Sequence, residues 1–118
     1  LKGVDADLQK GKYLIELFSP VCGHCIKAVP KINAMAQDDA LPRVIALTSF
    51  SQESNQLVEF ERSFNPLFDI ATVSLTDFHR LTYAHGYPRL AYIEDGVVQS
   101  VWERDFMPSI ELLREITR

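Results

Sequence analysis

The sequence predicts an α/β sandwich in which helices cover both faces of one mixed sheet. Three observations carry this expectation. Short apolar runs of strand length alternate with stretches whose apolar residues recur at helical spacing. The early runs are apolar at nearly every position, as strands covered on both faces are. The last third holds two strand-like runs about an Asp-Gly pair, the turn of an antiparallel hairpin, so the sheet cannot be wholly parallel.

The first run, KYLIELF (12–18), is a strand that ends at Ser19 and Pro20. From Cys25 onward Ala28, Val29, Ile32, Met35 and Ala36 fall on one helical face, so the second cysteine starts or lies inside a helix, which Pro30 should kink. RVIALTSF (43–50) is a second buried strand. Leu57, Phe60 and Phe64 then mark an amphipathic helix over 52–64 that must stop before Pro66. DIATVSL (69–75) is a third strand, and Thr76 can cap a helix from Asp77 that Gly86 ends. RLAYIEDGVVQSVWER (89–104) is the hairpin, and Pro108 opens a last helix. The order β, α, β, α, β, α, hairpin, α implies right-handed crossovers between paired strands.

The 118 residues suit a single domain, 1–118, without repeat, low-complexity stretch or linker. Twelve basic and 16 acidic residues leave a net charge of −4, and the basic ones form no stripe, which argues against nucleic-acid binding. No apolar run approaches the roughly 20 residues that span a bilayer, and LKGVDADLQKGK lacks the apolar block of a signal peptide, so no membrane contact is expected of these residues. The chain begins at Leu1 instead of Met, as a mature or excised piece would, with any targeting or anchoring segment outside it.

Two cysteines are too few for a disulfide scaffold, which turns attention to chemistry at Cys22-Gly-His-Cys25. A thiol with an ordinary pKa of about 8.5 is a poor nucleophile at neutral pH, but a helix N-terminus favours its thiolate. Cys22 stands where that field acts, and His24 adds a potential cation. Cys22 would attack and Cys25 would resolve. Two other readings stand beside this one. A structural disulfide closing so short a loop gains only about 2 kcal/mol. A zinc site needs about four ligands and would have to recruit His79 and His85, whose spacing is loose.

ELFSPVCGHC (16–25) resembles the active-site segment of the thioredoxin superfamily, and its Gly-His pair resembles that of protein disulfide isomerases. Pro30, five residues after Cys25, and GYPRL (86–90), similar to the family's cis-proline loop, extend the likeness over nearly the whole chain. The resemblance implies a thioredoxin-like three-layer α/β/α sandwich with a central mixed sheet and one inserted helix. It also implies a thiol–disulfide oxidoreductase whose Tyr87 and Pro88 bind the substrate backbone and whose His24 tunes the potential. Glu16 stands where the family carries a buried acid; between Leu14 and Phe18 an ionised carboxylate is costly, so its pKa should rise and suit it to take the Cys25 proton. The alternative for Glu16 is a solvated strand face.

Neither an organic cofactor nor a metal is implied, because the dithiol carries both electrons. The implied partners are cysteine-containing protein substrates and a redox donor or acceptor. Val21 departs from the family's usual tryptophan, and the helix at 52–64 resembles the insertion of TlpA-like bacterial thioredoxins, often membrane-tethered outside the cytoplasm. That likeness admits a dedicated reductase of extracytoplasmic thiols. A thiol peroxidase is a further rival, since Ser19 before Cys22 faintly resembles a T-x-x-C motif, though Ile15 replaces its proline; a non-enzymatic metal-binding or structural module is the last. His79, His85, Trp102 and Arg89 read as ordinary surface or packing residues, with a steering role for Arg89 as the alternative.

Overall fold

The structure, a computed structural model, describes residues 1–83 and 86–118. Its elements are β1 (Lys12–Leu17), α1 (Gly23–Ala36), β2 (Arg43–Thr48), α2 (Asn55–Phe64), β3 (Asp69–Thr72), α3 (Leu75–Thr82), β4 (Arg89–Glu94), β5 (Val97–Glu103), a 3₁₀ turn (Arg104–Phe106) and α4 (Ile110–Ile116). The five strands form one sheet in the order β3-β2-β1-β4-β5. β1, β2 and β3 run parallel, while β4 is antiparallel to β1 and β5 to β4.

The crossovers through α1 and α2 both step toward the β3 edge, so connections of one hand place both helices on the same face. There Val29, Ile32 and Met35 of α1, Phe60 of α2 and Leu113 of α4 pack on Leu14, Ala46 and Leu90 of the sheet. Phe78 of α3 and the N-terminal Val4, Ala6 and Leu8 cover the other face, over Ile15, Leu17, Ile45 and Ala71. The result is a three-layer α/β/α sandwich, and the double covering is why the buried positions of β1 and β2 are apolar except at Glu16 and Thr48. The hairpin turns on Asp95 and Gly96, both in the left-handed region at φ 50° and 81°, as a type I′ turn requires.

Several boundaries differ from the sequence expectation. α3 starts at Leu75, capped by Ser74 instead of Thr76: the Ser74 hydroxyl accepts from the Asp77 N–H at 3.1 Å. Reading the strand through residue 75 concealed that cap. α2 likewise starts at Asn55 behind Ser54, and Pro108 stands just before Ser109, the cap of α4, instead of opening the helix. α1 runs unbroken through Pro30. α3 ends at Thr82. The readings that fall on His85 lie outside the described residues.

Candidate active site

β1 delivers the chain to the first cysteine. The Phe18 N–H donates to the Leu47 carbonyl at 3.0 Å, carrying the pairing with β2 one residue past the strand. Pro20 has no N–H to continue it, and Ser19 turns the chain, its carbonyl accepting from the Cys22 N–H at 3.2 Å. Cys22 is therefore the N-cap of α1, with extended backbone (φ −89°, ψ 124°), and its carbonyl accepts the first helical bond from the Ile26 N–H at 3.0 Å. Its side chain caps nothing; the thiol donates instead to the Tyr87 carbonyl at 3.7 Å. Cys22 is half-buried, and Val21 beside it is 63 % exposed.

Cys25 lies in the first turn, only 1 % exposed. Burial pushes its thiol well up; a backbone bond at Ser19 opposes this, while contact with the Cys22 thiol and the charges of Cys22 and Glu16 add to it. Glu16 is the buried acid beneath. It pairs across the sheet with Ala46 and Leu90, both fully buried, and is itself 2 % exposed. Burial raises its carboxyl pKa to about 8. Glu16 is thus no solvated strand face. At neutral pH it holds a proton, and it can exchange one with a neighbouring thiol near that pH.

The loop before β4 closes the site. The Tyr87–Pro88 peptide is cis. Pro88 is buried, and the Tyr87 ring packs at 5.8 Å on Phe78. The Pro88 carbonyl accepts from the Arg104 N–H at 2.8 Å, and the Arg104 side chain lies over Gly86, so a side chain there would displace the guanidinium. His24 is exposed, its Nδ1 4.0 Å from the Asp105 carboxylate. The structure therefore brings Cys22, Cys25 and Glu16 together with the Tyr87–Pro88 loop, and turns His24 toward the 3₁₀ turn.

Other candidates fall elsewhere. His79 is exposed on α3, across the sheet from α1. Arg89 donates to the Leu81 carbonyl at 3.1 Å and lies 3.6 Å from Glu103, so it ties the end of α3 to the hairpin. Trp102 packs half-buried against the α1 core. Among the described residues no three His, Cys, Asp or Glu side chains gather as a metal would need, and no helix is long and apolar enough to cross a membrane. Sequence reasoning missed Arg104 and Asp105, because the 3₁₀ turn that brings them to the site reads as the end of a strand. It also passed over Lys27 and Lys31, although their spacing from His24 already placed all three on one helical face.

No protein-family model and no curated protein matches the chain. Solved structures do. A secreted Mycobacterium tuberculosis disulfide oxidoreductase homologous to Escherichia coli DsbE superposes with a TM-score of 0.70 at 12% identity, covering 92% of this chain and 81% of that one. StoA from Bacillus subtilis gives 0.68 at 20% identity, covering 92% and 84%. A putative thioredoxin from Neisseria meningitidis gives 0.64 at 22% identity, covering 92% and 74%. The fold is thioredoxin-like. Within this thioredoxin-like frame Cys22 starts the helix after the central strand, and the Tyr87–Pro88 loop leads into the antiparallel strand paired with it.

Proposed function

We propose that the protein is a thiol–disulfide oxidoreductase acting on protein substrates through the Cys22/Cys25 couple. One observation carries the reading: a half-exposed thiol at an uncapped helix start stands over a buried thiol and a buried carboxyl. In the reducing direction the Cys22 thiolate attacks one sulfur of a substrate disulfide. That S–S bond breaks, a Cys22–substrate bond forms, and the departing thiolate takes a proton. In the fraction of molecules whose Glu16 is ionised, a fraction that grows as pH rises toward 8, Cys25 then gives its proton to that carboxylate, and its sulfur attacks Cys22 Sγ. The Cys22–Cys25 disulfide forms, the Cys22–substrate bond breaks, and the second substrate sulfur leaves as a thiolate that takes a proton, so two electrons have passed to the substrate. The oxidising direction is the reverse.

Tyr87 and Pro88 would hold the substrate backbone beside Cys22, and His24 would tune the potential. The likeness to neighbours described as disulfide oxidoreductases and as a thiol:disulfide interchange protein supports this chemistry. The secreted mycobacterial neighbour supports a site of action outside the cytoplasm. The Gly-His pair favours exchange with substrates in either direction over dedicated reduction.

The test is trapping. Cys25→Ala should accumulate mixed disulfides with cysteine-containing proteins on non-reducing gels after acid quench, and Cys22→Ala should accumulate few, since only the first thiol attacks and only the second releases. Equal trapping by both variants overturns the assignment.

A further inference from the structure

A cleft of about 170 Å³ opens beside the cysteine pair, between α1 and the 3₁₀ turn. His24, Lys27 and Lys31 line one wall and Arg104 and Asp105 the other, so three full cations and a histidine face one carboxylate on a chain whose net charge is −4. Asp105 is turned to His24 at 4.0 Å, and Lys31 Nζ gives one of its three donors to the Met107 carbonyl at 3.3 Å. Among the described residues Lys27 and Arg104 have no carboxylate partner within 4.0 Å. The Arg104 backbone is tied to the substrate loop by its N–H on the Pro88 carbonyl, and its exposed side chain lies over Gly86. The same loop accepts the Cys22 thiol through the Tyr87 carbonyl. Arg104 and the Cys22 sulfur thus meet the same three consecutive residues, 86–88, while Lys27 and Lys31 follow Cys22 on α1.

We propose that this cleft docks an extended acidic segment of the partner protein, placing carboxylates a few residues from the cysteine that Cys22 attacks. The proposal rests on the oxidoreductase reading above. Its geometry favours a strand of chain over a compact anion. His24, Lys27 and Lys31 lie along α1 over about 10 Å, at about 1.5 Å of rise per residue. An extended chain covers that length in about three residues, so alternate carboxylates could meet successive cations. Such rim charges act mostly on the rate of encounter and on the choice of partner.

Reduced wild-type protein should be assayed against neutral 2-hydroxyethyl disulfide and against two peptide disulfides, identical except that Glu flanks the cysteine in one and Gln in the other. The Glu peptide should react about fivefold faster at low salt, the size expected of two or three solvent-screened charge pairs. That ratio should fall toward one in about 1 M salt, where the screening length is about 3 Å. In Lys27→Glu/Lys31→Glu the ratio should invert. Reduction of the neutral disulfide with a peptide ratio of one at every salt concentration overturns the docking cleft alone. Failure to reduce the neutral disulfide overturns the oxidoreductase reading and the cleft with it.

Discussion

Three of the four α-helices begin alike and the fourth does not. Ser54, Ser74 and Ser109 each stand in extended backbone before α2, α3 and α4, and each hydroxyl accepts from an N–H of the first turn at 3.1–3.2 Å. α1 begins on Cys22, which has the same extended backbone and offers no cap. A serine cap is worth typically about 1 kcal/mol, so the chain forgoes that at one helix only. The first-turn N–H groups left open there can stabilise a thiolate instead. The strand beneath repeats the pattern, for β1 buries Glu16 where every neighbouring position is apolar. Elsewhere the molecule is assembled for stability; at the start of α1 and under it, stability is given up for reactivity.

The largest way to sharpen that contrast is at Glu16. Its carboxyl titrates at about 8 in the folded protein against 4.5 as the reference, so between those values the unfolded chain loses a proton that the folded one keeps. Stability attributable to this group is therefore complete below pH 4.5 and declines as pH rises toward 8, by about 1.4 kcal/mol per pH unit and about 5 kcal/mol over the window. Glu16→Gln removes the titration. Denaturant midpoints of the two proteins should lie close together at about pH 4.5 and separate progressively up to about pH 8, with the variant the more stable. The same substitution should slow release of the mixed disulfide. A separation that does not change with pH overturns the buried acid.

His24 gives a smaller effect. If an imidazolium beside Cys22 favours the reduced form, the couple should lie at about −180 to −230 mV and not near the thioredoxin value of about −270 mV. His24→Pro removes that cation and keeps the helix, because a first-turn residue has no intrahelical acceptor for its N–H and proline's φ suits the position. Glutathione titration should show the potential falling by about 30 mV, a tenfold change in the equilibrium for two electrons. No change in the variant would mean that solvent and Asp105 already cancel the charge of His24.

The parts of this contrast differ in how far the sequence shows them. The position of Cys22 at a helix start was legible, because Pro20 ends the strand and the apolar spacing from Cys25 begins the helix. The burial of Glu16 was half legible. Alternation alone cannot say which strand face is covered, and the answer is that both are, since α1, α2 and α4 cover one and α3 the other. The caps at Ser54 and Ser74 were missed because an extended cap residue reads as strand or loop until the helix after it is placed. The Arg104 wall of the cleft was not legible at all. Its φ of 48° turns the chain out of β5 at a residue type that seldom adopts that conformation, and only the folded hairpin brings it over Gly86.

The smallest expected effect tests the contrast most directly, because it asks for opposite signs from one kind of residue. Ser54→Ala, Ser74→Ala and Ser109→Ala each remove a hydroxyl that accepts a first-turn N–H, and each should lower stability by about 1 kcal/mol. Cys22→Ser does the reverse at α1. The side chain keeps nearly its size, so the packing beside the core is retained, while a hydroxyl acceptor appears where the thiol offered none. Stability of that variant under reducing conditions should rise by up to about 1 kcal/mol while disulfide exchange is lost. Urea midpoints of the four variants against wild type read all of this in one series. A fall in stability for Cys22→Ser like that of the alanine variants would show that the thiol was already serving as a cap, and the start of α1 would then be built like the others.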